Sequence, residues 1–333
     1  MRIKTRVVKV DPENPEEEKI RVAAEVIKKG GLVAFPTETV YGLGADALNE
    51  RAVRKIFEVK GRPADNPLIV HVSSVEQIYE IAKPNEIAEL LIKKFFPGPL
   101  TLVMENRKVP KVTTAGLKTV AIRMPDHKIA LRLIEMSSPI AAPSANKSGK
   151  PSPTKAEHVL EDLGNLVDCI IDGGETKIGL ESTVVDTTVY PVEILRPGAV
   201  TKEELEKYVD VKFAEDFSVA RSPGMKYKHY APDAETIVLV GKDFLTKAEE
   251  IAKDFLKKGY AVGVAGVGVK ERRDEIIYRN LGNTLEEVAR KLFSVLRELD
   301  KECDVIIVQG VEEKGIGKAI MNRLYKAGRV FRI

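Results

Sequence analysis

The stretch Leu32-Val33-Ala34-Phe35-Pro36-Thr37-Glu38-Thr39 joins an apolar segment directly to two hydroxyl groups and an acid. The amphipathic pattern of residues 16–29 predicts a helix before it, and Gly30-Gly31 predicts where that helix ends. Leu32–Phe35 is then typical of a buried strand. Because open α/β sheets bind ligands beyond the carboxyl ends of their strands, the polar residues up to Gly44 predict a site. A turn followed by a Thr/Glu cap is the alternative.

Strand and helix patterns alternate through the first two-thirds of the chain. Further strands are predicted at residues 68–72, 100–104, 120–124, 139–142, 168–172 and 183–186. Helical patterns lie at residues 49–61, 86–95, 128–135 and 155–163. This mixture predicts an α/β domain with a mixed sheet. From Thr236 onward, strands and helices alternate in the order βαβαβ, which predicts a small parallel sheet flanked by helices.

The composition is that of an ordinary globular protein, with 44% hydrophobic residues, 31% charged residues and a net charge of +3. So small a charge does not indicate a nucleic-acid partner, and any anion site must come from local clustering. No apolar run approaches the ~20 residues of a membrane span, and no signal peptide is visible, so a cytoplasmic location is expected. The two cysteines, Cys169 and Cys303, lie in apolar strand patterns and are expected to be buried thiols.

Two cations separated by one glycine give the sharpest candidate for an anion site, in Lys60-Gly61-Arg62-Pro63-Ala64-Asp65-Asn66-Pro67. The glycine ends a predicted helix, and two prolines stiffen the segment that follows. Rigidly held cations suit a phosphate group. Helix C-termini also attract Lys and Arg through the helix dipole, without any ligand. This segment alone leaves both interpretations open.

A small, polar and basic loop follows another apolar strand, over Ala141-Ala142-Pro143-Ser144-Ala145-Asn146-Lys147-Ser148-Gly149-Lys150-Pro151-Ser152. The backbone N–H groups and hydroxyls of such a loop can hold phosphate, although the spacing is not that of a Walker A loop. His71 lies in a strand, where a core histidine is the default. Arg123 ends another strand and, if buried, needs an anionic partner. No nucleophile–base set and no cluster with metal-ligand spacing is visible.

The periodicity fails around residues 212–232, where Arg221-Ser222-Pro223-Gly224-Met225-Lys226-Tyr227-Lys228-His229-Tyr230-Ala231-Pro232 is basic and aromatic. Most linkers are instead Gly/Ser-rich or acidic, so this segment is either a functional loop or an unusual tether. The predicted domains are residues 1–208 and 236–333, joined by a linker over residues 209–235.

Together these blocks resemble the two-domain YrdC-type threonylcarbamoyl-AMP synthases, over nearly the whole chain. The resemblance rests also on Pro97-Gly98-Pro99-Leu100-Thr101, Arg123-Met124-Pro125, Glu181-Ser182-Thr183, Arg196-Pro197-Gly198, Gly315-Ile316-Gly317 and Ala319-Ile320-Met321-Asn322-Arg323. It implies a YrdC-like domain with a twisted mixed sheet and a concave basic cleft. It also implies a small Rossmann-like parallel α/β domain at the C-terminal end.

The resemblance implies a nucleotidyltransferase that joins L-threonine, bicarbonate and ATP into threonylcarbamoyl-AMP and releases pyrophosphate. A downstream transfer complex would then modify tRNAs that read codons starting with A. The implied threonine contacts are Thr39, His71, Arg123, Ser182 and the backbone at Ala142, with Arg123 pairing the carboxylate. The implied ATP contacts are Lys60, Arg62, Asn66, Thr119, Ser144, Ser152, Arg196 and Tyr230. Lys60 and Arg62 are the expected catalytic residues, with Lys60 at the reacting phosphate or carbonate.

Such a reaction needs no covalent enzyme nucleophile; it needs three aligned reactants and cations over the developing phosphoryl charge. Mg²⁺ is expected on pyrophosphate oxygens and water rather than in a protein cage. Because a carbamate is labile in water, the linker and Tyr230 are expected to cover the site. One alternative is a non-catalytic RNA-binding module, which the basic segment Lys314–Ile333 favours. Another is the carbamoyl-adenylate chemistry of hydrogenase-maturation carbamoyltransferases, for whose zinc fingers the cysteines are too few.

Overall fold

The computed structural model describes residues 4–215, Arg221 and residues 229–333, which form two compact units. The first unit comprises residues 4–148, 153–177, 181–215 and Arg221. The second comprises Gly149–Ser152, Ile178–Leu180 and residues 229–333. Residues 216–220 and 222–228, which form the middle of the predicted linker, lie outside the described residues. The predicted domain boundaries and the covering role of the linker therefore stay predictions.

The first unit is built on a mixed sheet. Its strands are β1 (Arg6–Lys9), β2 (Val33–Phe35), β3 (Gly42–Asp46), β4 (Ile69–His71), β5 (Ala82–Lys83), β6 (Leu100–Asn106), β7 (Thr119–Arg123), β8 (Ile140–Ala141), β9 (Cys169–Asp172), β10 (Thr183–Asp186), β11 (Val192–Arg196) and β12 (Val211–Phe213). Its helices are α1 (Glu17–Lys28), α2 (Glu50–Lys60), α3 (Val75–Ile81), α4 (Glu86–Phe95), α5 (Lys111–Thr114), α6 (Lys128–Met136), α7 (Ala156–Leu163) and α8 (Lys202–Leu205).

The strand order in the described residues is β1-β9-β2-β3-β8-β4-β7-β6-β10-β11-β12, with β5 paired to β6. Parallel pairs such as β4 with β7 alternate with antiparallel pairs such as β6 with β7. The prediction of a mixed α/β sheet is therefore confirmed. Strand β3 was not predicted from the sequence, since its Gly-Leu-Gly-Ala pattern lacks the β-branched residues typical of strands.

Helix α2 illustrates how local sequence fixes the frame of the site. The side chain of Asn49 accepts hydrogen bonds from the N–H groups of Arg51 and Ala52, which satisfies otherwise unpaired donors at the helix start. Gly61 ends the helix in the left-handed conformation, with φ of 60°, which glycine adopts at little steric cost. Its buried face then holds Lys60 at the last helical position, beside the apolar core.

The second unit is built on a largely parallel sheet. Its strands are β13 (Glu235–Val240), β14 (Val262–Gly266), β15 (Arg272–Arg273), β16 (Ile276–Asn280), β17 (Val305–Gln309) and β18 (Arg329–Arg332). Its helices are α9 (Phe244–Leu256), α10 (Leu285–Asp300) and α11 (Gly317–Ala327). The order is β15-β16-β14-β17-β13-β18. Within this sheet the described pair β15–β16 is antiparallel, and the pairs β16–β14, β14–β17, β17–β13 and β13–β18 are parallel. The prediction of a small parallel sheet is confirmed.

Both cysteines are free and buried, as the sequence predicts. Burial raises the pKa of the Cys169 thiol and of the Cys303 thiol to about 11, so both stay protonated at neutral pH. Within the described ranges, no helix combines the length and apolar character needed to cross a bilayer.

Candidate active site

Lys60 is buried, and its ammonium group is held by the loop that follows β8. Its Nζ donates a hydrogen bond of 2.5 Å to the carbonyl oxygen of Ser144 and another to the carbonyl oxygen of Asn146. The N–H of Ser148 donates to the carbonyl oxygen of Lys60, which ties the end of α2 to the same loop. A lysine that only interacted with the helix dipole would need none of these contacts. The buried ammonium group of Lys60 instead holds the loop in position.

Arg62 lies just beyond the helix and folds back over its own segment. Its Nη2 lies 3.3 Å from the carbonyl oxygens of Asn66 and Pro67. The Asn66 side chain is fully buried, and neither its oxygen nor its nitrogen has a hydrogen-bond partner among the described residues. Buried amides are normally satisfied, so Asn66 presents a donor and an acceptor that a polar ligand could engage.

The loop from Ala142 to Asn146 connects β4 to the position of Lys60. The N–H of Ala142 donates to the carbonyl oxygen of Ile69, in β4, and Ser144 forms an antiparallel bridge to Gly42. A Cβ atom on Gly42 would lie only 3.3 Å from that of Ala142, so the glycine permits this close approach. The predicted sites at Ala142, Ser144 and Lys60 are therefore brought together.

Arg123 ends β7 in a buried position and contacts the polar segment after β2. Its Nη1 donates a 2.8 Å hydrogen bond to the hydroxyl of Thr39, and its Nη2 lies 2.6 Å from a carboxylate oxygen of Glu38. Its Nε lies 3.3 Å from the carbonyl oxygen of Gly98. The sequence predicts that a buried Arg123 needs an anion, and the structure identifies Glu38 as that anion.

His71 lies next to Arg123, because the two residues are register partners in the parallel pair of β4 and β7. Its ring packs edge-on against Phe35, with 6.2 Å between the ring centroids. Burial, and then the positive charge of Arg123, lowers the pKa of His71 to about 3. The imidazole is therefore neutral at physiological pH, and it can accept or donate one hydrogen bond to a ligand without adding charge.

Ser182 is held by two neighbouring side chains. Its hydroxyl lies 2.7 Å from the hydroxyl of Thr101, and the guanidinium of Arg196 donates to its carbonyl oxygen at 3.0 and 3.1 Å. A Cβ atom on Gly198 would lie 2.3 Å from the backbone nitrogen of Thr183 and 2.5 Å from the carbonyl carbon of Ser182. Only glycine fits there. The glycine of the Arg196-Pro197-Gly198 block therefore allows the chain to pass close to the backbone of Ser182.

Three further predicted ATP contacts, Thr119, Ser152 and Tyr230, stay predictions. Thr119 begins β7, four residues before Arg123, so the two lie about 13 Å apart at ~3.3 Å per strand residue. Ser152 and Tyr230 belong to the second unit. There the Tyr230 ring stacks on Phe293, with 5.3 Å between centroids, and the guanidinium carbon of Arg323 lies 5.6 Å from the Tyr230 centroid.

Two side chains in this site were not identified from the sequence. Glu38 was recognised only as part of a polar block, and Thr101 only as part of a motif, although they contact Arg123 and Ser182 directly. The signal for Glu38 was the pairing of an acid beyond one buried strand with an arginine at the end of another. No described group of three or more His, Cys, Asp or Glu residues converges as a metal site would.

These contacts define a buried polar site in the first unit that combines the guanidinium of Arg123 with a loop held by Lys60. The family described as "Telomere recombination" (Sua5, YciO and YrdC) matches residues 25–198, and the model described as "Threonylcarbamoyl-AMP synthase, C-terminal domain" matches residues 200–328. The chain belongs to the Sua5/YciO/YrdC family, in its two-domain form.

Close relatives extend over almost the full length of the chain. The threonylcarbamoyl-AMP synthase of Pyrococcus abyssi is 56% identical over 328 residues, covering 95% of each chain. That of Bacillus subtilis is 46% identical over 338 residues, covering 97% of each. The crystal structure of P. abyssi Sua5 complexed with L-threonine superposes with a TM-score of 0.93 at 54% identity, covering 99% of this chain and 100% of that one.

Proposed function

We propose that this chain synthesises L-threonylcarbamoyl-AMP from L-threonine, bicarbonate and ATP, with release of pyrophosphate, in the site of the first unit. Relatives that match this chain over most of its length are named threonylcarbamoyl-AMP synthase, which supports this activity. The family assignment does not support the alternative of a non-catalytic RNA-binding module. Since these relatives are named as synthases of threonylcarbamoyl-AMP, they also favour this product over the carbamoyl-adenylate alternative.

The observation that carries the placement of threonine is the buried guanidinium of Arg123. It points two nitrogens at Thr39 and Glu38, beside the neutral His71. A planar guanidinium is the side chain best suited to bind a carboxylate. In the proposed complex, Arg123 binds the threonine carboxylate. Thr39, Ser182, His71 and the backbone of Ala142 contact the rest of the amino acid.

The phosphate-binding part of the proposed site consists of Lys60, Arg62, Asn66 and Ser144, with Arg196 beside Ser182. The carbamate of threonine attacks the α-phosphate, so negative charge develops on that phosphate as pyrophosphate leaves. Lys60 fixes the loop at Ser144, and its ammonium group supplies positive charge near the reacting oxygens. Thr119, Ser152 and Tyr230 stay proposed ATP contacts.

Mg²⁺ is part of the proposal as a companion of ATP. Glu38 in the site already faces Arg123, and no described group of three or more His, Cys, Asp or Glu residues could hold a metal ion. Mg²⁺ commonly keeps several waters and binds substrate phosphates. We therefore assign it to pyrophosphate oxygens and water, where it would neutralise charge on the leaving group.

The proposal extends to the place of the reaction in the cell. Threonylcarbamoyl-AMP is a reactive mixed anhydride, so a transfer complex must accept it and deliver the threonylcarbamoyl group to tRNA. We propose that the chain meets such a complex in the cytoplasm and reaches tRNA only through it.

The test is product identification with the full chain. The protein is incubated with ATP, ¹³C-bicarbonate, Mg²⁺ and one amino acid at a time, and the adenylate is analysed by mass spectrometry. We expect an adenylate that carries one labelled carbon when threonine is supplied, with little product from serine or valine. An unlabelled adenylate, or equal products from several amino acids, would contradict the proposal.

A further inference from the structure

Glu38 is a buried carboxylate for which the placement of threonine described above provides no role. Only 4% of the residue is exposed, as is also the case for Arg123, and one of its oxygens lies 2.6 Å from Arg123 Nη2. Apart from this ion pair, neither oxygen of Glu38 has a hydrogen-bond partner among the described residues. A carboxylate oxygen can accept about two hydrogen bonds, so Glu38 retains unused acceptor capacity inside the site.

An ion pair that served stability alone would be a poor solution at this position. Arg123 already donates to the hydroxyl of Thr39 and lies near the carbonyl oxygen of Gly98. Burying two charges is costly, and replacing such pairs by apolar residues is often neutral or stabilising. The unused acceptors of Glu38 therefore point to a partner that arrives with the substrate.

The charge balance of the occupied site identifies that partner. A bound amino acid brings a carboxylate and an ammonium group, with the nitrogen and the carboxyl carbon about 2.5 Å apart. When the carboxylate binds Arg123, the positive ammonium group is buried close to the positive guanidinium. This arrangement is costly unless an anion lies beside the ammonium group. Glu38 supplies that anion. The bound state then contains two opposite pairs and has no net charge.

The neighbouring titratable groups do not compete for this role. His127, at the start of α6, has its Nδ1 buried without a hydrogen-bond partner among the described residues. Burial lowers the pKa of His127 to about 4, although the negative charges of Glu38 and Glu13 oppose the shift. His71 is neutral for the same physical reason. Beyond these, Arg196, whose charge also acts on His71, donates to the carbonyl oxygen of Ser182, and Lys177 lies near His127.

We infer that Glu38 binds the α-ammonium group of the amino acid while Arg123 binds its carboxylate, which makes the site specific for α-amino acids. This inference rests on the proposed placement of threonine at Arg123. It predicts that Glu38 discriminates between threonine and an otherwise similar acid that lacks the amino group.

The test compares two ligands in the full chain by isothermal titration, with competition for weak binding. The ligands are L-threonine and (R)-3-hydroxybutyrate, which keeps the carboxylate and the hydroxyl but has no amino group. In Glu38→Gln, we expect the Kd for threonine to rise by about 30-fold or more, the effect of truncating a buried charge pair. The Kd for 3-hydroxybutyrate should change by less than about threefold. Equal weakening of both ligands would overturn the inference, because it would mean that Glu38 only orients Arg123.

A second variant keeps the test decisive if Glu38→Gln does not fold. Glu38→Asp retains the charge but withdraws the carboxylate by one methylene, so it should weaken threonine selectively. An unchanged preference for threonine in Glu38→Asp would overturn the inference. Failure of the threonine placement would look different. In that case Arg123→Gln, in a folded protein, would leave the affinity for 3-hydroxybutyrate unchanged, and both the placement and the role of Glu38 would fall.

Discussion

The side-chain nitrogen of Lys60 lies 2.5 Å from the carbonyl oxygen of Ser144, 84 positions later in the chain. This contact joins the end of α2 to the loop after β8, which itself bonds to β4 through Ala142 and Ile69. The phosphate side and the amino-acid side of the proposed site are thus parts of one connected backbone framework.

The first prediction concerns Lys60. Lys60→Ala removes the ammonium group from the site and leaves the carbonyl oxygens of Ser144 and Asn146 without this donor. We expect pyrophosphate exchange into ATP, measured with threonine and bicarbonate present, to fall by about 100- to 1,000-fold, the usual effect of losing one charge-stabilising donor.

The matched control is Lys55→Ala on the same helix. The Nζ of Lys55 also donates to a backbone carbonyl, that of Gly30, at 2.7 Å, but outside the proposed site. We expect this variant to exchange pyrophosphate at nearly the normal rate. Comparable losses in both variants would reduce Lys60 to a structural residue.

The second prediction concerns Arg62, which is assigned to the nucleotide. Arg62→Ala should raise the KM for ATP by about 10- to 100-fold, because a hydrogen bond to a charged group contributes about 1.5–3 kcal/mol. The KM for threonine should change little. Arg54→Ala serves as the control, since Arg54 is exposed and only 3.9 Å from Glu50. Steady-state kinetics that show a threonine effect as large as the ATP effect would contradict the assignment.

The third prediction concerns the close contact at Gly198. Gly198→Ala places a methyl group against the backbone of Ser182 and Thr183, so it should weaken threonine binding and lower the free energy of unfolding by about 1–3 kcal/mol. Gly263→Ala creates a milder clash, with the side chains of Leu299 and Cys303 in the second unit. It should reduce stability without changing the threonine Kd. Titration calorimetry and denaturant unfolding measure the two effects separately.

The fourth prediction concerns the pH dependence of stability. The pKa of His71 falls from 6.5 to about 3 on folding, so the unfolded chain binds more protons between those values. The contribution of His71 to the free energy of unfolding is therefore fully present above pH 6.5. It is lost as the pH falls towards 3, by up to about 1.4 kcal/mol per pH unit. Between pH 6 and 4, the free energy of unfolding, measured with urea at each pH, should fall less steeply with decreasing pH in His71→Gln than in the wild type. The same pH dependence of the unfolding free energy in both proteins would contradict this prediction.

Much of the fold could be predicted because its strands are apolar and bounded by turns. Val33–Phe35, Ile69–His71 and Cys169–Asp172 all lie within predicted strands. Strand β16, Ile276–Asn280, was not predicted, since the charged run before it hides a short apolar segment. Strands this short carry too little periodic pattern to be recognised without the neighbouring strand that pairs with them.

The site was predictable in its cations and hydroxyls but not in their partners. The sequence indicates that Arg123 needs an anion, yet Glu38 is distant in the chain and only the order of the sheet brings it to 2.6 Å. Likewise, nothing local shows that Arg196 would bond to the carbonyl oxygen of Ser182. Such pairings depend on the packing of strands, which the local pattern does not encode.

The central claim is that Arg123 and Lys60 belong to one site in which threonine, bicarbonate and ATP react together. The most direct test is pyrophosphate exchange into ATP by the wild type and by Arg123→Gln, with each reactant omitted in turn and with Arg107→Gln as an exposed control. We predict exchange only when threonine and bicarbonate are both present, its loss in Arg123→Gln and its survival in Arg107→Gln. Exchange with ATP alone, or full exchange by folded Arg123→Gln, would contradict the claim.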